Sequence, residues 1–273
     1  MRSALTRAVD EEEAPLAPLI PTGDGGRFVR MAREQPEQQA PPVQRLRIRY
    51  AKRGRARFTS SRDFSRAFER ALRRAEVPMA YSSGFSPHPR ISYANACATG
   101  AASEAEYCET GLTTPCDPDR VREALDAAMP TGLDVVEVWV APPGALADRL
   151  TGSAWSVRLP RADPAEVAAA LATFLAADVV EVQRMTKNGV RTFDARGCVV
   201  SVSPTADGFD LVLAHETPLV RPDDVLAGLV AGHAALVLPD PPVLTRLSQG
   251  VLDRETGAIA DPRAEQALGV VGG

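Results

Sequence analysis

"VQRLRIRYAKRG", Val43 to Gly54, alternates Leu46, Ile48 and Tyr50 with Arg45, Arg47 and Arg49. That period of two belongs to a strand with one face in a core and one in water, so the first strand is expected to show an arginine face. Gly54 closes the turn and is free to take a positive φ. "SSRDFSRAFERALRRAEVP", Ser60 to Pro78, then changes period. Ser60 reads as an N-cap, with Asp63 three residues on as the carboxylate variant of a capping box. Phe64, Phe68, Ala71, Leu72 and Ala75 recur at helical spacing, while Arg62, Arg66, Arg70, Arg73 and Arg74 take the other faces. Pro78 stops the helix.

Working outward, a short strand about Met79 to Ser82 leads through "SSGFSPHPRISYA" into a further strand, and "EAEYCETGLTT" supplies another near Glu106 to Leu112. "DPDRVREALDAAMPTG" is a helix capped by Asp117, with Pro118 in its first turn, and "LDVVEVWVA" is a strand. The order β-α-β-β-α-β is that of a ferredoxin-like unit, a split βαβ over an antiparallel sheet. After "APPGALADRL" the plan repeats: "AWSVRLP", "DPAEVAAALATFLAA", "VVEVQRMT", "VRTFDARG", a hairpin about Asp207 and Gly208, "RPDDVLAGLVAG" and "VLTRLSQGVL". The expected fold is therefore α+β, with two tandem ferredoxin-like (βαββαβ) units at 44–142 and 152–253. A disordered leader, 1–43, rich in acidic residues, proline and glutamine, is expected before them, and a loosely attached tail, 254–273, after them.

Composition narrows the function. The 273 residues, 45% apolar, suffice for two small cores. The leader lacks the apolar core of a secretion signal and no apolar run approaches about 20 residues, so a cytoplasmic protein of bacterial type with no membrane association is expected. Cys97, Cys108, Cys116 and Cys198 follow no CxxC or CxxxCxxC spacing, and His88, His215 and His233 share no metal-ligand spacing. No metal or cofactor is expected, and the cysteines read as small buried residues. The net charge of −4 conceals about a dozen Arg or Lys between Arg45 and Arg74, set against Asp63 and Glu69.

In "SSGFSPHPR", Pro87 and Pro89 fix their own φ and bias Ser86 and His88 to extended backbone, while Gly84 permits a sharp bend. Such a stiff loop projects His88 with Arg90 on the same side, a pair suited to an anion. The plainer reading is that His88 caps a carbonyl and Arg90 pairs with a nearby acid such as Asp63. Arg47 and Arg49 on the strand, with Arg62, Arg66 and Arg70 on the helix, form a basic surface for a polyanion. Tyr50, Tyr81, Phe85 and Tyr93 are candidate stacking platforms for RNA. In the second half, Lys187, Asp194 and Arg196 gather about a tight turn in "TKNGVRTFDARG", where a local ion pair accounts for them equally well.

"RYAKRGRARFTSSRDFSRAFERALRRAEVPMAYSSGFSPHPRISYA" resembles the radical SAM-linked protein family, the domain of unknown function 2344. The shared features are a basic strand, a "FTSSRD" helix start, "RALRRAEVP" and "YSSGFSPHPRI"; the likeness is dense from Leu46 to Val140 and weaker through "KNGVRTFDARG". It implies a place beside a separate radical SAM protein with a cobalamin-binding domain, and an accessory or substrate-presenting role, since this chain carries no cluster motif of its own. It also raises the expectation that Lys187, Asp194 and Arg196 share a groove with His88 and Arg90. Two functions follow: a binding module holding an anionic partner such as RNA for a radical SAM enzyme, or a His88-dependent RNA-processing enzyme resembling in outline the repeat-RNA endonucleases of CRISPR systems. A plain scaffold between proteins is a third.

Overall fold

The computed structural model describes residues 38–186 and 189–263, and the backbone alone of 19–21 and 28–30. The chain divides into two units. The smaller takes in residues 1–39 and 82–87. Within it, β1 (Leu19–Pro21) and β2 (Phe28–Arg30) pair antiparallel, and at the bend of 82–87 Gly84 has a φ of +128° while Ser83 Oγ accepts from the Gln39 N–H at 2.9 Å. Both strands fall within the leader expected over 1–43. The rest of that leader (1–18, 22–27 and 31–37) and tail residues 264–273 lie outside the described residues.

The larger unit is α+β. Its first repeat runs β3 (Gln44–Lys52), α1 (Ser61–Arg74), β4 (Ile91–Ala94), β5 (Ala102–Leu112), α2 (Pro118–Ala128) and β6 (Leu133–Val140). The helices begin where the sequence caps them: Ser60 Oγ accepts from the Asp63 N–H at 3.2 Å and Asp117 from the Asp119 N–H at 3.0 Å, with Pro118 at a position whose N–H has no helical partner. Strand order is β6-β3-β5-β4, antiparallel throughout. The second repeat runs β7 (Gly152–Arg158), α3 (Pro164–Ala176), β8 (Glu181–Thr186), β9 (Gly189–Asp194), β10 (Val199–Thr205), β11 (Gly208–Ala214), α4 (Pro222–Gly232) and β12 (Val243–Leu252). Its order, β10-β11-β7-β12, follows the same plan once β8 and β9 are set aside as a separate hairpin.

The two repeats share one sheet. β12 lies parallel to the start of β5, with Thr245 opposite Ala102 and Arg246 opposite Ser103, while the later part of β5 pairs with β4 along the same edge. Leu46, Ile48 and Tyr50 of β3 pack with Phe64, Phe68 and Leu72 of α1 and Val121 and Leu125 of α2. Trp155, Val157, Leu211 and Leu213 pack with Leu171 and Phe174 of α3 and Val225 and Leu229 of α4.

The reverse face of β3 and β5 corrects the sequence reading. It was expected to meet water, yet Leu146 and Leu150 of the connecting segment pack there on Ala105 and Tyr107, with Trp139 beside them. Arg47 is consequently 0% exposed. The tail is also less loose than expected, because β13 (Ile259–Ala260) pairs with β12. Room for it comes from Gly152 and Gly250, which lie opposite one another in β7 and β12. A Cβ on Gly152 would approach Leu252 Cβ to 2.8 Å, and one on Gly250 would collide with the Ala260 carbonyl oxygen. Gly250→Ala is therefore expected to release β13 while the rest of the sheet persists. Faster tryptic cleavage after Arg254, followed by mass spectrometry, is the expected result; cleavage at the wild-type rate would contradict the packing.

Candidate functional site

The strand arginines are neutralised from within the chain. Arg47, directly opposite Glu109, donates to it at 3.0 Å and to the Gly144 carbonyl at 2.7 Å. Arg45 also reaches Glu109, at 3.1 Å, and Arg49 lies opposite Glu137 with its guanidinium 3.7 Å away. Arg53 is held by Glu104 at 2.8 Å and Asp134 at 2.7 Å. Arg47 and Arg49 face their carboxylates directly across the strands and Arg45 and Arg53 reach theirs diagonally or from the strand end, so the basic face foreseen for this strand is matched by carboxylates on its neighbours. The helix differs. Arg62, Arg66 and Arg70 are exposed on α1, and among the described residues none of the three is ion-paired, whereas Arg73 lies 3.7 Å from Glu69.

The other foreseen residues are best described by the contacts each one makes. Phe85 belongs to the smaller unit and His88 to the larger, where His88 is exposed just before β4. Arg90 donates to the Tyr81 carbonyl at 2.9 Å, across a bridge that pairs Tyr81 with Pro89. Its partner is thus a backbone carbonyl rather than Asp63, whose carboxylate accepts from Ser60 Oγ at 2.7 Å. Tyr50, read as a stacking platform, is buried and stacked on Phe64 at 4.1 Å. Asp194 accepts from the N–H groups of Val180, Arg196 and Gly197, each at 2.9 Å. Burial alone would raise its carboxyl, but those three donors outweigh burial and hold it below the ordinary range. The foreseen Asp194–Arg196 ion pair is replaced by this backbone cap, and Arg196 donates instead to the Val199 carbonyl at 3.2 Å. Lys187 lies outside the described residues.

A different polar cluster occupies the seam between the repeats. Arg246 of β12 donates to Glu106 of β5 at 2.8 Å and to the Asn95 carbonyl at 2.8 Å, and its guanidinium lies 4.7 Å from the Trp155 ring centre. The second Glu106 oxygen accepts from the Cys97 N–H at 2.9 Å. Lys52, at the end of β3, donates to the Thr59 carbonyl at 3.2 Å and lies 3.7 Å from Cys97 Sγ. Glu106, Arg246 and Lys52 are 1%, 3% and 5% exposed, so three charged groups are buried together.

Two recesses open beside this cluster, with Ala96 and Cys97 as their shared wall. One, of about 380 Å³, is lined by Ser153, Trp155, His215, Arg221, Asp223 and Arg246 among others. The second, of about 350 Å³, is lined by Lys52, Ser61, Ser65, Tyr93, Cys97 and Glu106 with the rings of Tyr50 and Phe64. His215 Nδ1 lies 2.6 Å from the Leu150 carbonyl and must donate to it, which leaves Nε2 to accept from Ser153 Oγ at 2.9 Å. Burial pushes this imidazole down to about 4; the Leu150 bond opposes the shift and positive Arg246 adds to it. Burial, followed by the charge of Glu106, pushes the Cys97 thiol up to about 11. At neutral pH the seam therefore presents a neutral imidazole and a protonated thiol.

A family described as an uncharacterized protein conserved in bacteria (DUF2344) matches residues 45–222. The chain belongs to this family. The DUF2344 match runs from β3 to the first residue of α4, so it holds Lys52, Cys97, Glu106 and His215 but stops short of Arg246. Among curated proteins, none matches the chain. Sequence reasoning passed over the DUF2344 seam, although one signal was present. Lys52 continues the inward phase of Leu46, Ile48 and Tyr50, and Glu106 shares the phase of Cys108 and Leu112, so each is a charge at a position patterned for the core. Nothing in the local pattern names Arg246 as their companion.

The low His215 value carries a pH dependence. Between pH 6.5 and about 4 the unfolded chain takes up a proton that the folded chain refuses. Stability present above 6.5 is therefore lost as pH falls through this window, by ~3 kcal/mol at most. His215→Gln is expected to flatten that part of the curve in urea unfolding at pH 7 and 4.5. A C–H resonance of His215 titrating near 6.5 would contradict the buried neutral imidazole.

Proposed function

We propose that this chain is a binding protein that holds an anionic macromolecule, RNA in the first place, and presents it to a separate radical SAM enzyme of the cobalamin-binding type. One observation carries the reading: Arg62, Arg66 and Arg70 stand exposed on successive turns of α1 and, among the described residues, make no ion pair, while the β3 arginines are matched by carboxylates. Steps of four residues advance about 6 Å each along a helix and stay close to one face, so the three form a stripe about 12 Å long. Unmatched guanidinium groups in a row attract a chain of phosphates and release its counterions.

The radical SAM partner rests on the resemblance of the "YSSGFSPHPRI" block, and the accessory role on the absence of a CxxxCxxC motif from the sequence. Binding of a single-stranded RNA oligonucleotide, measured across a salt series, tests the reading. Replacing Arg62, Arg66 and Arg70 together by Gln is expected to weaken binding and to lower the slope of log K against log salt by about 2. Gln at Arg158 and Arg161, which are exposed but paired with Asp207 and Asp240, should change little. RNA binding that is absent, or equal in the triple variant and wild type, sinks the proposal. Recovery of a radical SAM protein with the tagged chain after RNase treatment would support the partner; recovery of none would count against it.

A further inference from the structure

We infer that the recess under the N-terminus of α1 is a site for a small monocarboxylate with an apolar body, a ligand separate from the macromolecule on the outer face of that helix. The argument begins with buried charge. Lys52, Glu106 and Arg246 are all more than nine-tenths buried, and they bring two cations to one carboxylate. Glu106 is fully engaged, one oxygen by Arg246 at 2.8 Å and the other by the Cys97 N–H at 2.9 Å. Lys52 meets only a carbonyl, at 3.2 Å, and a thiol, at 3.7 Å, and among the described residues no carboxylate lies within 4.0 Å of its ammonium. An ammonium out of water without an opposite charge is costly, and a bound anion removes that cost.

The surroundings of Lys52 select the ligand. The recess has Lys52 on its wall with Ser61, Ser65 and Tyr93, which supply hydroxyl groups; the rest of its wall is Tyr50, Phe64, Ala96, Cys97 and Glu106, the last a carboxylate whose two oxygens are already taken by Arg246 and the Cys97 N–H. Ser61 is the first residue of a 14-residue helix, so the partial positive charge of that terminus acts on the same spot. The carboxylate of that turn, Asp63, is exposed and already accepts from Ser60 Oγ. One excess positive charge matches one negative charge, which favours a carboxylate over a phosphate dianion. Tyr50 and Phe64, stacked at 4.1 Å, with Tyr93 edge-on to Phe64 at 5.9 Å, make an aromatic wall for an apolar body.

Benzoate, its neutral isostere benzamide, and inorganic phosphate are the probes, titrated against the full chain by calorimetry and by NMR of the Tyr93 ring. Benzoate is expected to bind saturably and to shift Tyr93, with benzamide and phosphate each at least ~10-fold weaker, the share of one charge-assisted hydrogen bond. Lys52→Met is expected to abolish the preference for benzoate over benzamide. Should that variant not fold, the pair Ser61→Ala with Tyr93→Phe, at the less buried side of the recess, carries the test through an expected several-fold loss of benzoate alone. Equal binding of benzoate and benzamide, binding of neither at millimolar concentration, or unchanged benzoate affinity in the folded double variant overturns the inference. RNA binding through α1 is read separately, so either result leaves the other standing.

Discussion

The eleven residues of β5 reach beyond β4, which pairs only with their later part, and Glu106 of β5 is met by Arg246 of the other repeat at 2.8 Å. With side chains 1% and 3% exposed, this pair lies in a dry interior. The attraction within such a pair is largely offset by the loss of hydration, so the pair adds little net stability. Its effect is on arrangement. If β12 slipped by one residue, its side chains would change faces, and a carboxylate and a guanidinium would each be buried alone, at about 3–5 kcal/mol. The ion pair therefore fixes the register in which the two repeats join, with Gln249 adding a bond to the Ala105 carbonyl at 3.0 Å.

Joining the repeats in this way creates what neither would hold by itself. The segment through Asn95 and Cys97 is fixed from both sides: Arg246 takes the Asn95 carbonyl and Glu106 takes the Cys97 N–H. Cys97 thereby becomes a wall common to two recesses, one facing Trp155 and His215, the other facing Lys52 and Tyr93. The seam is polar and nearly charge-balanced, with an excess of one buried cation. The outer face of α1 is polar in a different manner, exposed and unbalanced.

Much of this was legible in the chain before any coordinates. The Asp-Pro starts at Asp117 and Asp163, the Ser60 cap and the alternation of Leu46, Ile48 and Tyr50 are local signals, and local chemistry decides them. The arginines were harder to place because alternation reports only which residues share a face. It does not report what covers that face. Arg47 shares the outward phase of β3, yet the segment that carries Leu146 and Leu150 on this face also brings the Gly144 carbonyl onto its guanidinium. Glu109 and Glu137, which neutralise Arg47 and Arg49, lie on other strands, and the register that aligns them is a property of the whole sheet. The prolines of the "PHPR" segment make it read as stiff, but its Arg90 bonds a carbonyl nine residues back instead of an acid. Arg246 and Glu106 are 140 residues apart, and no short pattern joins them.

Native-state hydrogen exchange tests the shared sheet most directly. If the buried pair and the parallel contact of β12 with β5 bind the repeats into one cooperative structure, the best-protected amides of β3 and β5 and those of β7 and β11 will open with the same free energy and respond alike to denaturant. Were the second repeat to exchange at a distinctly lower free energy while the first stayed protected, the seam would be a mere contact between independent domains, and the reading of its charges as one site would fail.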